Sequence, residues 1–159
     1  MKIILHVLII LFSYSISINA ISYGHEIEMD EMSIKHPMIP IFNSKMKTAA
    51  GYFTIVNKKN EADELIMVKT DFANAMMHKS QIDNNGIAKM EHINKVVIPA
   101  NSSVVFEQGS LHIMFTELKE PLEEYIDQKV TLVFKKLGNI EIDFQVERAT
   151  TKMPKHEDH

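Results

Sequence analysis

Near the end of the chain Ile140, Ile142, Phe144 and Val146 alternate with Glu141, Asp143, Gln145 and Glu147. A period of two puts all four apolar side chains on one face of a strand, whereas the 3.6-residue period of a helix would scatter them. One face is buried and the other wet, which is the pattern of an antiparallel sheet packed on one core. Val130 to Phe134 precedes this run, and Leu137-Gly138-Asn139 between them reads as the turn of a hairpin.

Upstream, Tyr52 to Val56 is β-branched and aromatic, Asn57-Lys58-Lys59-Asn60 reads as a turn, and Leu65 to Thr70 follows; the spacing predicts two strands paired as neighbours. Val104 to Phe106 stops at Gln108-Gly109, and Leu111 to Phe115 starts again beyond it. A helical turn is expected within Leu118 to Tyr125. Many short strands without a sustained helical period predict one all-β domain, a β-sandwich with Greek-key connections.

Four segments are expected. Residues 1–20 have a basic start at Lys2, an apolar run from Ile3 to Phe12 broken by His6, and a small and polar stretch ending at Ala20. That layout predicts a signal peptide cleaved after Ala20, although Ile18 makes the site imperfect, and a mature protein with no membrane anchor. Residues 21–48, interrupted by Pro37 and Pro40, form an N-terminal arm with room for one edge strand near its start. The sandwich spans 49–148, and 149–159 is a flexible tail containing His156 and His159. Removing Lys2 from 17 basic residues leaves 16 against 21 acidic, a net charge of −5, which disfavours nucleic acid and anionic lipid as partners. With no cysteine there is no disulfide, and the fold must rest on its apolar core.

Methionine is over-represented, at 11 of 159 residues. Met67 reads as core filler. Met29, Met32, Met38, Met46 and Met153 lie where no core is evident; His25, Met29, Met32, His36 and Met38 either recruit copper weakly or, the favoured reading, are surface residues of a flexible arm.

Donor residues collect in the middle of the chain. His112 and Met114 are two apart in a strand and share one face, leaving Leu111, Ile113 and Phe115 to the core. The turn signal Asp83-Asn84-Asn85-Gly86 predicts a hairpin that sets the His78 strand beside the Met90 strand. His92 is a bystander or a group that orients the ligands. Thioether sulfur is a soft neutral donor that favours Cu(I), and imidazole suits copper in either oxidation state, so His78, Met90, His112 and Met114 point to copper ahead of zinc or magnesium. Blue-copper sites need a thiolate and most structural zinc sites use several, so the absence of cysteine takes most of the weight from both readings. No Gly-x-Ser-x-Gly, Walker-type glycine run or His-Glu-x-x-His occurs, and no enzyme activity is expected.

From Ala50 to Val146 the chain resembles the periplasmic copper chaperones of the PCuAC type. Their signature places a His ahead of a Met, with 21 residues between that Met and a closing His-x-Met; residues 91 to 111 separate Met90 from His112-Ile113-Met114 in the same way. Ala50-Gly51-Tyr52, Asn85-Gly86, Val97-Ile98-Pro99-Ala100 and Gly109-Ser110-Leu111-His112 extend the likeness. Eleven residues, 79 to 89, separate His78 from Met90, at the longer end of the family spacing, which makes Met77 an auxiliary candidate. Ser110-Leu111 stands where a Gly-aromatic pair is common.

The resemblance implies a cupredoxin-like β-sandwich with a solvent-near Cu(I) site. It also implies a periplasmic location in a Gram-negative bacterium and delivery of copper to the CuA centre of cytochrome c oxidase or another acceptor, such as a second copper chaperone. His156 and His159 are auxiliary candidates for loose Cu(II) binding. Rival expectations are a copper scavenging or tolerance protein with no dedicated acceptor, and an adhesion or assembly sandwich in which Met and His merely pack.

Overall fold

A computed structural model describes residues 27–29, 31–43, 45–82 and 86–149. The expected signal peptide, Met153, and His156 and His159 lie outside them. Among the described residues eleven strands are formed: β1 (Ile27–Met29), β2 (Met32–Ile41), β3 (Ala49–Asn57), β4 (Asp63–Lys69), β5 (Asn74–Ile82), β6 (Ala88–His92), β7 (Val96–Ile98), β8 (Ser102–Phe106), β9 (Leu111–Thr116), β10 (Gln128–Phe134) and β11 (Gly138–Arg148). They join in the order β6-β5-β9-β3-β2-β11-β10-β4-β7, with β1 added to β2 and β8 added to β3. Only the β2–β11 pairing is parallel among the described residues.

The alternating run forms β11 as expected, with Ile142, Phe144 and Val146 buried, and pairs with β10 through a turn at Lys135, Lys136 and Leu137. Gly138 ends that turn at a φ of +88°, a backbone conformation that costs glycine little. A buried carboxylate holds the turn. Asp63 Oδ1 accepts hydrogen bonds from the Glu64 and Lys136 amides at 2.7 and 2.9 Å, and Oδ2 accepts from Leu137 N at 2.9 Å.

Three expectations are corrected. β3 and β4 do not pair: β3 lies between β2 and the β8 and β9 strands, while β4 lies between β10 and β7. The Asn57 side chain shapes the crossover, donating to the Glu61 and Pro99 carbonyls and accepting from Lys59 N, so residues 58–62 carry the chain across the core and not back along β3. The arm is part of the sheet, because β2 sits between β3 and β11 despite its prolines. A register shift between Lys35 and Met38, with His36 at a φ of +51°, takes His36 and Pro37 out of the β2–β3 ladder, so the missing Pro37 N–H costs no bond there. Leu118 to Tyr125 contains bends and turns without a helix.

Methionines depart from expectation too. Met32 is fully buried, and Met29 and Met46 pack against the core, whereas Met67 is about half exposed. The centre of the core is aromatic: Phe53 stacks on Phe106 with ring centroids 4.3 Å apart, and Phe144 meets Phe53 and Phe115 edge-on at 5.5 and 6.0 Å. Gly51 lets β3 pass close under this cluster. A Cβ there would stand 2.7 Å from Phe115 Cε2 and 2.9 Å from Phe144 Cε1, inside van der Waals contact. Gly51→Ala should therefore destabilise the fold by about 1–3 kcal/mol, the usual cost of overpacking, read as a lower urea midpoint with unchanged slope.

Candidate metal centre

Burial decides which way β5 and β9 face. Met77, Ile113 and Phe115 lie in the core, so their neighbours in sequence, Met76, His78, His112 and Met114, emerge on the opposite face. Register then sets the neighbours. His78 lies opposite His112 and Met76 opposite Met114 across β5 and β9. On the other side of β5, His78 lies opposite His92 and Ser80 opposite Met90.

The result is a row of three imidazoles across β6, β5 and β9. The His78 ring is 5.8 Å from that of His112 and 5.8 Å from that of His92, edge-on to both. Met76 and Met114 flank this row on one side, and Met90 lies on the other. Exposure rises across the sheet: His112 is 6% exposed, His78, Met76 and Met114 are half-buried, and Met90 is 60% exposed on the edge strand.

Two ring nitrogens are prepared as donors. His112 Nδ1 lies 3.1 Å from the Ser110 carbonyl oxygen. A carbonyl only accepts, so that contact requires Nδ1–H and leaves the Nε2 lone pair free for an ion. His78 Nδ1 is buried with no hydrogen-bond partner, a cost that a bound cation would remove. Burial holds the His78 imidazole below its ordinary pKa of 6.5, reinforced by His112 and then His92, which favours the neutral form, the one that ligates. Among the described residues no three or more His, Asp or Glu side chains could hold a metal ion together. The thioether sulfurs beside the imidazoles are the further donors at this face, and sulfur suits a soft monovalent ion better than a hard divalent one.

The hairpin and the His112-Ile113-Met114 pair form as the sequence predicts, and His78, His112 and Met114 come together. Met90 reaches the same face from β6 but stands across from Ser80, one row beyond the histidines. Met77 does not join them: it is 4% exposed in the core, on the other face of β5. Met76 is a donor that sequence reading passed over, although its spacing of two from His78 repeats that of His112 and Met114. The surface groove lined by Phe72, Leu122 and Ile126 includes none of these donors, which stand on the face of the β6-β5-β9 sheet.

Residues 32–146 match the model of the LpqE-like family. The chain belongs to this family, which is of the PCuAC type. The family name describes lipoproteins, yet these 159 residues contain no cysteine to carry an acyl chain. Similar solved structures are a copper-bound PCuAC domain from PmoF2, with 25% identity, a TM-score of 0.65, and coverage of 79% of this chain and 99% of that one. The apo PCuAC domain from PmoF1 has 24% identity, a TM-score of 0.68, and coverage of 79% and 100%. The cupredoxin-like all-β fold expected from the sequence is the fold observed. A protein of Rickettsia prowazekii (strain Madrid E), RP573, is 27% identical over 103 residues, which span 62% of this chain and 57% of that protein.

The placement of Met77 in the core carries a direct consequence. Met77→Ala should cost about 2–5 kcal/mol of stability in chemical denaturation, as a core truncation does.

Proposed function

We propose that this PCuAC-type domain is a copper chaperone that holds one Cu(I) through His78, His112 and Met114, with Met90 reaching in from the edge strand, and surrenders it to a partner. The observation that carries this reading is the His78–His112 pair, with rings 5.8 Å apart on one face, an unpartnered buried His78 Nδ1, and methionines beside both. A copper-bound domain of the same family type, at 25% identity, supports copper as the cargo.

Neutral imidazoles and thioethers leave the ion's charge uncompensated, which favours +1 over +2. Such moderate donors retain a soft ion in a compartment where a pair of thiols would be prone to close into a disulfide. An acceptor with thiolates would outbid them, and the open sheet face lets it approach from the Met90 side. The N-terminal leader supports export to the periplasm of a Gram-negative bacterium, and the CuA centre of cytochrome c oxidase is the acceptor we propose.

Anaerobic titration with Cu(I) against a colorimetric chelator tests the site. Wild type should compete for one equivalent, and His112→Ala and Met114→Leu should each lose about tenfold or more in affinity, ~1.4 kcal/mol. Equal competition by wild type and both variants would refute the site. Mixing the Cu(I) form with an isolated oxidase CuA domain tests delivery; copper that stays on the chaperone would remove that acceptor.

A further inference from the structure

Resting on the copper reading above, we infer that Met76 is a further thioether ligand of the same ion, so that His78, His112, Met76 and Met114 form a four-donor set on β5 and β9 that keeps the ion when Met90 is drawn away. The observation is their register. His78 pairs with His112 and Met76 with Met114, and each strand contributes one His and one Met two residues apart. Four side chains of one face thus stand at the corners of a single cell of the sheet, roughly 5 Å wide between strands and about 7 Å long between rows. Any ion above the middle of that cell lies close to all four.

Met90 is placed differently. It lies opposite Ser80, whereas Met114 lies opposite Met76, so the two differ by four residues along β5, roughly 13 Å, and are separated by two strand spacings. One ion next to Met114 is within reach of Met76 without rearrangement, while Met90 must swing over the histidine row to meet it. Exposure points the same way, since Met76 is half-buried beside Met114 and Met90 is 60% exposed. Met76 therefore keeps the ion on β5 and β9 while Met90, the outer donor of the proposed site, is displaced by an incoming partner.

Met76→Leu keeps volume and apolar character, so an unchanged apo melting temperature should confirm that it folds. Its Cu(I) affinity should fall by about tenfold or more in the chelator competition. Met90→Leu should fall by less. X-ray absorption of the Cu(I) form should count one fewer sulfur per copper in Met76→Leu than in wild type. An independent measurement needs no variant at the ion: with methionine methyl groups labelled by ¹³C, one equivalent of Cu(I) should shift the Met76 and Met114 resonances together and leave Met77 in place. A Met76 affinity within twofold of wild type, or a Met76 methyl that stays still while that of Met114 moves, overturns the inference and leaves the chaperone reading standing. Absence of Cu(I) competition by wild type overturns both.

Discussion

Burial of Met77, Ile113 and Phe115 under β5 and β9 is the constraint from which the donor face follows. Side chains alternate strictly along a strand, so a slip of one residue in either strand would turn its donors inward and its core residues outward. That error would place an imidazole in the apolar core and expose Met77, Ile113 or Phe115 to water. The site is thus specified by residues that never touch it. Apolar transfer free energy, at about 25 cal/mol per Å² buried, sets the register, and the register sets which donors meet.

Devices that stabilise the fold sit apart from the donor face. Asp63 anchors the β10–β11 turn, Asn57 holds the crossover after β3, and Gly51 admits the aromatic cluster. This division suits the chaperone role proposed above. The core is apolar and lies on the opposite face of the sheet from Met76, His78 and Met114, so the donors are not part of what holds the strands in register. It also explains the gradient from buried His112 to exposed Met90: the inner donors lie against the sheet, and the outermost belongs to a short hairpin.

Cysteine's absence shapes the chemistry as much as any residue present. Thioethers and neutral imidazoles bring no charge to the face, so no unpaired anion is buried there. The lowered pKa of His78 belongs to the same arrangement, since burial and two neighbouring imidazoles all oppose its protonation. Half-burial of the Met76 and Met114 side chains keeps sulfur near the surface at the end of a flexible, apolar stem.

Local pattern alone determined a good part of this protein. Period-two alternation in β11, the turn before it, the His112-x-Met114 face and the hairpin around Asp83-Asn84-Asn85-Gly86 are legible because each depends on side-chain direction over a few adjacent residues. Pairing was another matter. Adjacent runs at β3 and β4 looked like neighbours, Pro37 seemed to end a strand that bulges past it, and Met32 and Met67 were assigned to the wrong sides of the boundary between core and solvent. Each of those depends on what lies across from a residue, and a partner distant in the chain supplies that. Residue types announced imidazole and thioether donors together, but only the β6-β5-β9 register decided that Met76 stands beside Met114 and His92 beside His78, while Met77 is sealed beneath them. Side-chain chemistry is a local property, whereas convergence on one point is set by long-range strand pairing and the burial that drives it.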